Sequence, residues 1–260
     1  RALTRASSAF FHAPPPGFAD GPLLAPRGTL FVGTAAQREE LDAFHATLLA
    51  EGSPAERLSA AAACARVPVL RPAACAAAVY DPNAYDIDVD RLLQGFLRGA
   101  RARGAAFEPN ARVVRLMRGG TGWHLEAAGG RRFHARQVVN AAGAWADELA
   151  ALAGVDPVGL EPRRRSAFLF EPPDGLRVER WPAVIAADES WYFKPDAGLL
   201  LGSPANADPT HAHDVLPEDL DVAIGIDRIE RATTLSIAQP RSAWAGLRSF
   251  VADGEPVCGD

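Results

Sequence analysis

Residues 137–155 read QVVNAAGAWADELAALAGV, and the interpretation of this stretch decides the fold. Val138 and Val139 read as the end of a short strand, Asn140 follows, and Ala141-Ala142-Gly143 carry almost no side chains. From Trp145 the spacing turns helical, with Leu149, Leu152 and Val155 on one face and Gly154 as a stop signal. Small residues at a strand–helix junction let something approach the backbone closely. Two readings are open here: tight packing of strand on helix, or a ligand lying against the turn.

The segments upstream narrow the setting. Asp88 caps a predicted helix in which Val89, Leu92, Leu93, Phe96, Leu97 and Ala100 share one face and Gly104 ends the run. Short β-like segments follow at Arg112–Met117, Trp123–Glu126 and Phe133–His134, separated by Gly119-Gly120 and Gly129-Gly130. Residues 88–155 therefore read helix, strand, small antiparallel meander, strand, helix. In doubly wound folds a ligand sits at the carboxyl ends of such strands.

Before this block, residues 1–11 read as a helix and Thr29–Val32 as a strand. Thr34 with Gln37 reads as a capping box for a helix through Leu49, and Ser53-Pro54-Ala55-Glu56 repeats that helix-start signature. A strand over Ala76–Tyr80 ends in the turn residues Asp81-Pro82-Asn83. Beyond 160, Arg165–Phe170, Ala183–Ala187, Trp191–Lys194 and Leu199–Gly202 read as antiparallel strands, and a helix is predicted over 217–231. With no internal repeat or low-complexity linker, two interleaved domains fit better than two separate ones.

Composition sets outer bounds. A chain of 260 residues with 48% apolar and 23% charged residues is ordinary globular material. The formal net charge of −5 argues against a general nucleic-acid binder. Cys64, Cys75 and Cys258 form no C-x-x-C pair, which reads as a reduced, cytoplasmic setting. The alanine-rich region 58–79 is broken by Arg66, Pro68, Arg71 and Pro72, so no transmembrane segment is expected. The chain opens on Arg1 and stops at Asp260 after a turn-rich run, and the expectation is a piece of a longer protein.

Several candidate sites compete. The G-x-G-x-x-G fingerprint is absent. His211 and His213, with Asp208 and Asp214, invite a metal reading, but no further cluster completes a shell and no metal site is expected. There is no G-x-S-x-G and no cysteine with a histidine companion for nucleophilic catalysis. In Arg163-Arg164-Arg165, strand alternation turns Arg164 to the face opposite Arg163 and Arg165. Arg248, inside the apolar run from Trp244, reads either as a structural salt bridge or as an anion holder.

Three segments together carry a resemblance: VVNAAGAWADELAALAG, SWYFKPDAGLLLGSPANADP and WAGLRSFVADGEPVCG. They resemble the D-amino acid oxidase and glycine oxidase superfamily of FAD-dependent oxidoreductases, and most nearly its bacterial D-arginine dehydrogenases. RALTRASSAFF, DIDVDRLLQGFLRGAR, PRRRSAFLFEPP and PANADPTHAHDVLPEDLD extend the likeness over nearly the whole chain. The resemblance implies an α/β fold of mixed α+β character: a glutathione-reductase-like FAD-binding domain interleaved with a mostly antiparallel substrate-binding domain. The implied division is 1–20, 86–158 and 241–260 for an incomplete FAD-binding domain and 21–85 with 159–240 for the substrate domain.

The same resemblance implies site residues. Val113, Asn140, Ala141, Ala142, Gly143 and Trp145 are expected to line FAD. Arg165 and Arg248 are expected to hold a substrate carboxylate, with Tyr192 beside them; two guanidinium forks suit a planar carboxylate better than lysines. Ala183 and Ile185 are expected around the substrate side chain, and Thr29 stands where the arginine-specific enzymes carry a glutamate. The implied reaction is oxidation of the Cα–N bond of a D-amino acid, with hydride passing to flavin N5 and electrons going on to a quinone or to dioxygen. A glycine or sarcosine oxidase activity is the near alternative, and an inactive piece without flavin the distant one.

Overall fold

The computed structural model describes residues 2–259. In chain order it begins with α1 (Ala2–His12), β1 (Leu24–Pro26), β2 (Thr29–Gly33), α2 (Arg38–Ala50), β3 (Glu56–Leu58) and α3 (Ala60–Arg66). Next come β4 (Ala77–Asp81), β5 (Tyr85–Ile87), α4 (Val89–Ala102), β6 (Val113–Gly119), β7 (Gly122–Ala127) and β8 (Arg132–Ala135). The second half holds α5 (Ala146–Leu152), β9 (Glu161–Phe170), β10 (Ala183–Ala186), β11 (Tyr192–Asp196) and β12 (Leu199–Ser203). It closes with β13 (Asp208–Pro209), α6 (Asp219–Ala232) and β14 (Ser242–Phe250). This is the expected mixed α/β architecture. Among the described residues, no helix is long and apolar enough to cross a membrane.

The chain divides into two compact units: residues 1–107, 166–205 and 218–243, and residues 108–165, 206–217 and 244–260. The first unit is built on a sheet in the order β9-β12-β11-β10-β2-β4-β3. Its pairs are antiparallel except β10 with β2, which run parallel. Leu30, Val32, Val184, Phe193, Leu200, Phe168 and Phe170 fill one face and meet Ile229 of α6 and Ala63 of α3, a core from which water is removed. On the opposite face, Phe31 and Val79 pack against Leu41, Leu48 and Phe44 of α2.

Local chemistry explains most boundaries and corrects others. Gln37 accepts the Thr34 backbone N–H at 3.0 Å, closing half of the expected capping box ahead of α2. Ser53-Pro54-Ala55-Glu56 does not start a helix. Glu56–Leu58 pairs with β4 instead, and Ser59 caps α3 by accepting the Ala62 N–H at 3.2 Å. Asp81 accepts the Asn83 N–H at 2.9 Å and makes the expected turn. Asp88 accepts the Arg91 N–H at 2.9 Å as the cap of α4.

The expected apolar face of α4 is present but not sealed: Val89 is 68% exposed and Phe96 56%. What seats the helix is Gly95, where an added Cβ would stand 2.5 Å from the Phe18 ring and 2.8 Å from the Phe18 carbonyl oxygen. The aromatic rings of Phe10, Phe18 and Phe96 gather around that contact.

The second unit holds the antiparallel meander β6-β7-β8 and the first residues of β9, where Arg163 and Arg164 pair with β13; β14 also pairs with β9. Gly122 is obligatory in the meander, since a Cβ there would sit 2.5 Å from the Ala135 carbonyl oxygen. Helix α5 packs against β6. Asp147 of α5 accepts the backbone N–H groups of Val158 (3.0 Å) and Leu160 (2.7 Å), which ties the helix to the segment feeding β9.

Candidate functional site

The expected site residues fall into two groups, one in each unit. In the second unit, Val138 and Val139 do not form the expected strand. No strand among the described residues pairs with them, and Val139 is 87% exposed, so the run is extended chain without a ladder. Asn140 organises the turn that follows. Its amide donates to the Ala146 carbonyl at 2.8 Å and its side-chain oxygen accepts the Ala142 N–H at 3.3 Å. With that side chain committed to the turn, Ala141, Ala142 and Gly143 present little beyond backbone. Gly143 adopts φ +57°, with nothing within 4 Å of where a Cβ would stand.

Beside this turn lies a cavity of about 1110 Å³. Of the expected residues, Val113, Ala142 and Trp145 line it, together with Val114, Leu149 and Leu152. Strict alternation would send Val113 and Val114 to opposite faces. The register of β6 shifts between Val113 and Arg115, and this bulge lets two consecutive valines face the cavity. Arg112, Glu148, His213 and Asp214 border it as well, and they are the polar lining residues that sequence reasoning missed. His211 and His213 stack on each other with ring centroids 4.3 Å apart.

The arginines of this unit are sorted by strand geometry. Arg164 lies opposite Asp208 in the β9–β13 register and its guanidinium is 3.7 Å from the Asp208 carboxylate. Arg163 and Arg165 point to the other face by alternation. Arg165 donates from Nε to the Asn206 carbonyl at 2.5 Å, and Arg163 donates to Glu161 at 2.6 Å. The guanidinium carbons of Arg163 and Arg248 lie 5.1 and 5.5 Å from the centre of the Phe250 ring. Arg163 and Arg248 thus flank one aromatic ring that attracts cations, and alternation along β9 puts Arg165 on the same side as Arg163.

In the first unit the register brings four expected residues onto one sheet face. Thr29 of β2 pairs with Ala183 of β10, and Ile185 of β10 pairs with Tyr192 of β11. Residues two apart on a strand share a face, so Thr29, Ala183, Ile185 and Tyr192 all look away from the main core. Thr29 is buried, while Ala183, Ile185 and Tyr192 are half-buried. Lys194, the next residue of β11 on that face, donates to Asp86 at 2.8 Å, and Arg27 donates to the other Asp86 oxygen at 2.7 Å. Arg27 also donates to the carbonyls of Glu179 (2.7 Å) and Trp181 (2.9 Å). Partial burial alone would push the Asp86 carboxyl up, but the hydrogen bonds and charges of Lys194 and Arg27 outweigh it and hold the carboxyl below its ordinary range.

This architecture is that of FAD-dependent oxidoreductases. The fold matches glycine oxidase of Geobacillus kaustophilus with a TM-score of 0.79 and 24% identity, covering 100% of this chain and 68% of that one. It also matches L-proline dehydrogenase of P. horikoshii, with a TM-score of 0.76 and 20% identity over 99% of this chain and 67% of that one. Residues 17–260 match the family described as DAO, FAD dependent oxidoreductase, and the chain belongs to that family. Among curated proteins it is 28% identical over 197 residues to the FAD-dependent oxidoreductase domain-containing protein 1 of Bos taurus, covering 61% of this chain and 39% of that protein. It is 27% identical over 177 residues to hydrogen cyanide synthase subunit HcnC of Pseudomonas aeruginosa, covering 65% of this chain and 40% of that one. The chain thus spans about two fifths of the length of these curated relatives.

FAD is the cofactor of the family, and the residues of the second unit fit it. The cavity, about 1110 Å³, lies just above the usual range for ligand pockets of about 300–1,000 Å³. Its walls are mostly apolar and include the Trp145 ring, with Arg112, Glu148, His213 and Asp214 at the border, and the neighbouring turn exposes bare backbone. Val113, Ala142 and Trp145 would hold the cofactor, with Arg112 as the nearby cation.

Proposed function

We propose that this chain is part of an FAD-dependent enzyme that oxidises the Cα–N bond of D-amino acids to imino acids. The observation that carries the reading is the sorting of arginines in the second unit. Arg165 and Arg248 share a face with Arg163, while Arg164 is turned away and paired with Asp208. Guanidinium groups sharing a face match a planar carboxylate by paired hydrogen bonds. In this reading Arg165 and Arg248 hold the substrate carboxylate, with Tyr192 beside them. Ala183 and Ile185 meet the substrate side chain.

Bound flavin supplies the hydride acceptor, and the protein supplies binding, orientation and an environment that favours one geometry. Residues 1–20, 86–158 and 241–260 serve the cofactor and 21–85 with 159–240 the substrate. Dioxygen or a quinone takes the electrons onward.

The likeness to D-arginine dehydrogenases carries one departure. Thr29 offers a hydroxyl where they have a carboxylate, so a guanidinium side chain would lose its charged partner. Ala183 leaves room for a larger apolar side chain. The expected preference is therefore for residues such as D-Leu, D-Met or D-Phe over D-Arg.

The test is a panel of D- and L-amino acids on the FAD-loaded enzyme, read as kcat/KM with oxygen or a quinone-like dye as acceptor. D-selective turnover with neutral side chains ahead supports the reading. Faster turnover of the L-enantiomers, or a tenfold lead for D-Arg, overturns it. The glycine oxidase likeness of the fold favours a second reading, a glycine or sarcosine oxidase, which glycine and sarcosine leading the same panel would establish.

A further inference from the structure

We propose that Cys64 and Cys75 are a redox modification site, a dithiol that hydrogen peroxide closes to an intramolecular disulfide and a thiol reductant reopens. The two sulfurs stand 3.5 Å apart, although eleven positions separate them in the chain. Cys64 lies on α3, and Cys75 lies in the turn that leads into β4. A disulfide needs its sulfurs about 2.05 Å apart, so closure asks for roughly 1.5 Å of approach between side chains already in contact.

Nothing strong holds the thiols in their present form. Cys64 donates to the Leu70 carbonyl at 3.4 Å and Cys75 to the Arg71 carbonyl at 3.4 Å. Thiols are weak donors, so a disulfide gives up little there. The surroundings are apolar: Ala63, Val67, Val69 and Leu70 belong to the same core. A disulfide fits such surroundings at least as well as two thiols, and it leaves no charge behind.

Access differs between the two sulfurs, and that sets the order of events. Cys64 is half-buried and Cys75 fully buried. Burial, followed by the neighbouring Cys64 thiol, pushes the Cys75 thiol up to about 12, so it stays protonated and is a poor first attacker. The Cys64 sulfur attacks one peroxide oxygen and the O–O bond breaks. The Cys64 proton leaves with the departing hydroxide as water, and Cys64 becomes a sulfenic acid. The Cys75 sulfur then attacks the Cys64 sulfur, the S–O bond breaks, and the hydroxide leaves as a second water with the Cys75 proton. Two thiols lose two electrons in all, and one peroxide becomes two waters.

Cys258 is exposed and lies in the other unit, so it serves as an internal reference for ordinary surface oxidation. The experiment treats the purified protein with millimolar hydrogen peroxide, quenches, denatures and alkylates it, and maps thiols by mass spectrometry. The expected result is a loss of two hydrogens confined to a cross-linked pair of Cys64 and Cys75 peptides, reversed by dithiothreitol. Melting should also rise by several degrees, because the closed loop restricts the unfolded chain. The wild-type mass measurement needs no variant; Cys64→Ser and Cys75→Ser should each abolish the melting shift. Both thiols remaining open to alkylation overturns the proposal. So does Cys64 advancing to sulfinic acid with Cys75 still free, or a cross-link that uses Cys258.

Discussion

Asp86→Asn is expected to destabilise the first unit by about 2 kcal/mol at neutral pH. The wild-type carboxylate accepts from Arg27 at 2.7 Å and from Lys194 at 2.8 Å, with its side chain 26% exposed. Hydrogen bonds to charged groups are worth roughly 1.5–3 kcal/mol each. Several things reduce that sum. Asparagine keeps one acceptor oxygen, Arg27 keeps the Glu179 and Trp181 carbonyls, and water reaches about a quarter of the site. A net loss of about 2 kcal/mol corresponds to roughly a thirtyfold change in the folding constant.

The sign of the pH dependence follows from the depressed carboxyl. Its contribution is complete above the ordinary carboxylate range and is lost as pH falls through the lower value of the folded state. The assay is urea unfolding of wild type and variant followed by the fluorescence of the buried Trp181 and Trp191, repeated from pH 7 downward. The two proteins should differ most at neutral pH and converge in acid. A difference under about 0.5 kcal/mol at pH 7, the scatter of ordinary surface substitutions, would refute the network. A difference unchanged in acid would show that something other than charge is at work.

Three further outcomes are expected. In the FAD-loaded enzyme, Arg248→Lys should lower kcat/KM about ten- to hundredfold while Arg164→Lys changes it little, because a lysine cannot reproduce a fork and Arg164 faces Asp208; equal kinetics for both would remove the carboxylate assignment. Thr29→Glu should raise the ratio of kcat/KM for D-Arg over D-Leu at least tenfold by restoring a carboxylate for the guanidinium, and a flat ratio means Thr29 does not meet the substrate side chain. Gly122→Ala should cost about 2 kcal/mol or more, since its Cβ would meet a backbone carbonyl at 2.5 Å that no rotamer change can move; an unchanged melting temperature would contradict the meander geometry.

What could be read in advance depended on how local the physics was. The α4 helix, its Asp88 cap and the Asp81-Pro82-Asn83 turn are encoded within a few residues, and they are present as expected. The sorting of Arg163, Arg164 and Arg165 follows from alternation alone once β9 is a strand. Ser53-Pro54-Ala55-Glu56 misled because a better cap, Ser59, stands just beyond it and β4 claims Glu56–Leu58 as a partner. Val138 and Val139 misled because apolar, branched residues predict a ladder whether or not a neighbouring strand exists.

Long-range meetings had no signal at all. Arg112 and His213 border one cavity from segments about a hundred positions apart, and Asp86 reaches Lys194 across 108 positions. The bulge that turns both Val113 and Val114 toward the cavity is likewise invisible in a run of two valines.

The alternation of β9 also constrains how this protein can change over evolutionary time. Inserting or deleting one residue ahead of Arg163 within the strand would act like a frameshift in side-chain direction: every position downstream would exchange faces at once. Arg164 would take the side now held by Arg165, and the buried Phe168 and Phe170 would turn out of their core in the same step. The arginines of β9 and the hydrophobic core are locked to one count of residues, so single-residue length variation is closed to this strand. Thr29 and Ala183, paired across β2 and β10, are different: a substitution there changes one side chain and leaves the count of residues intact.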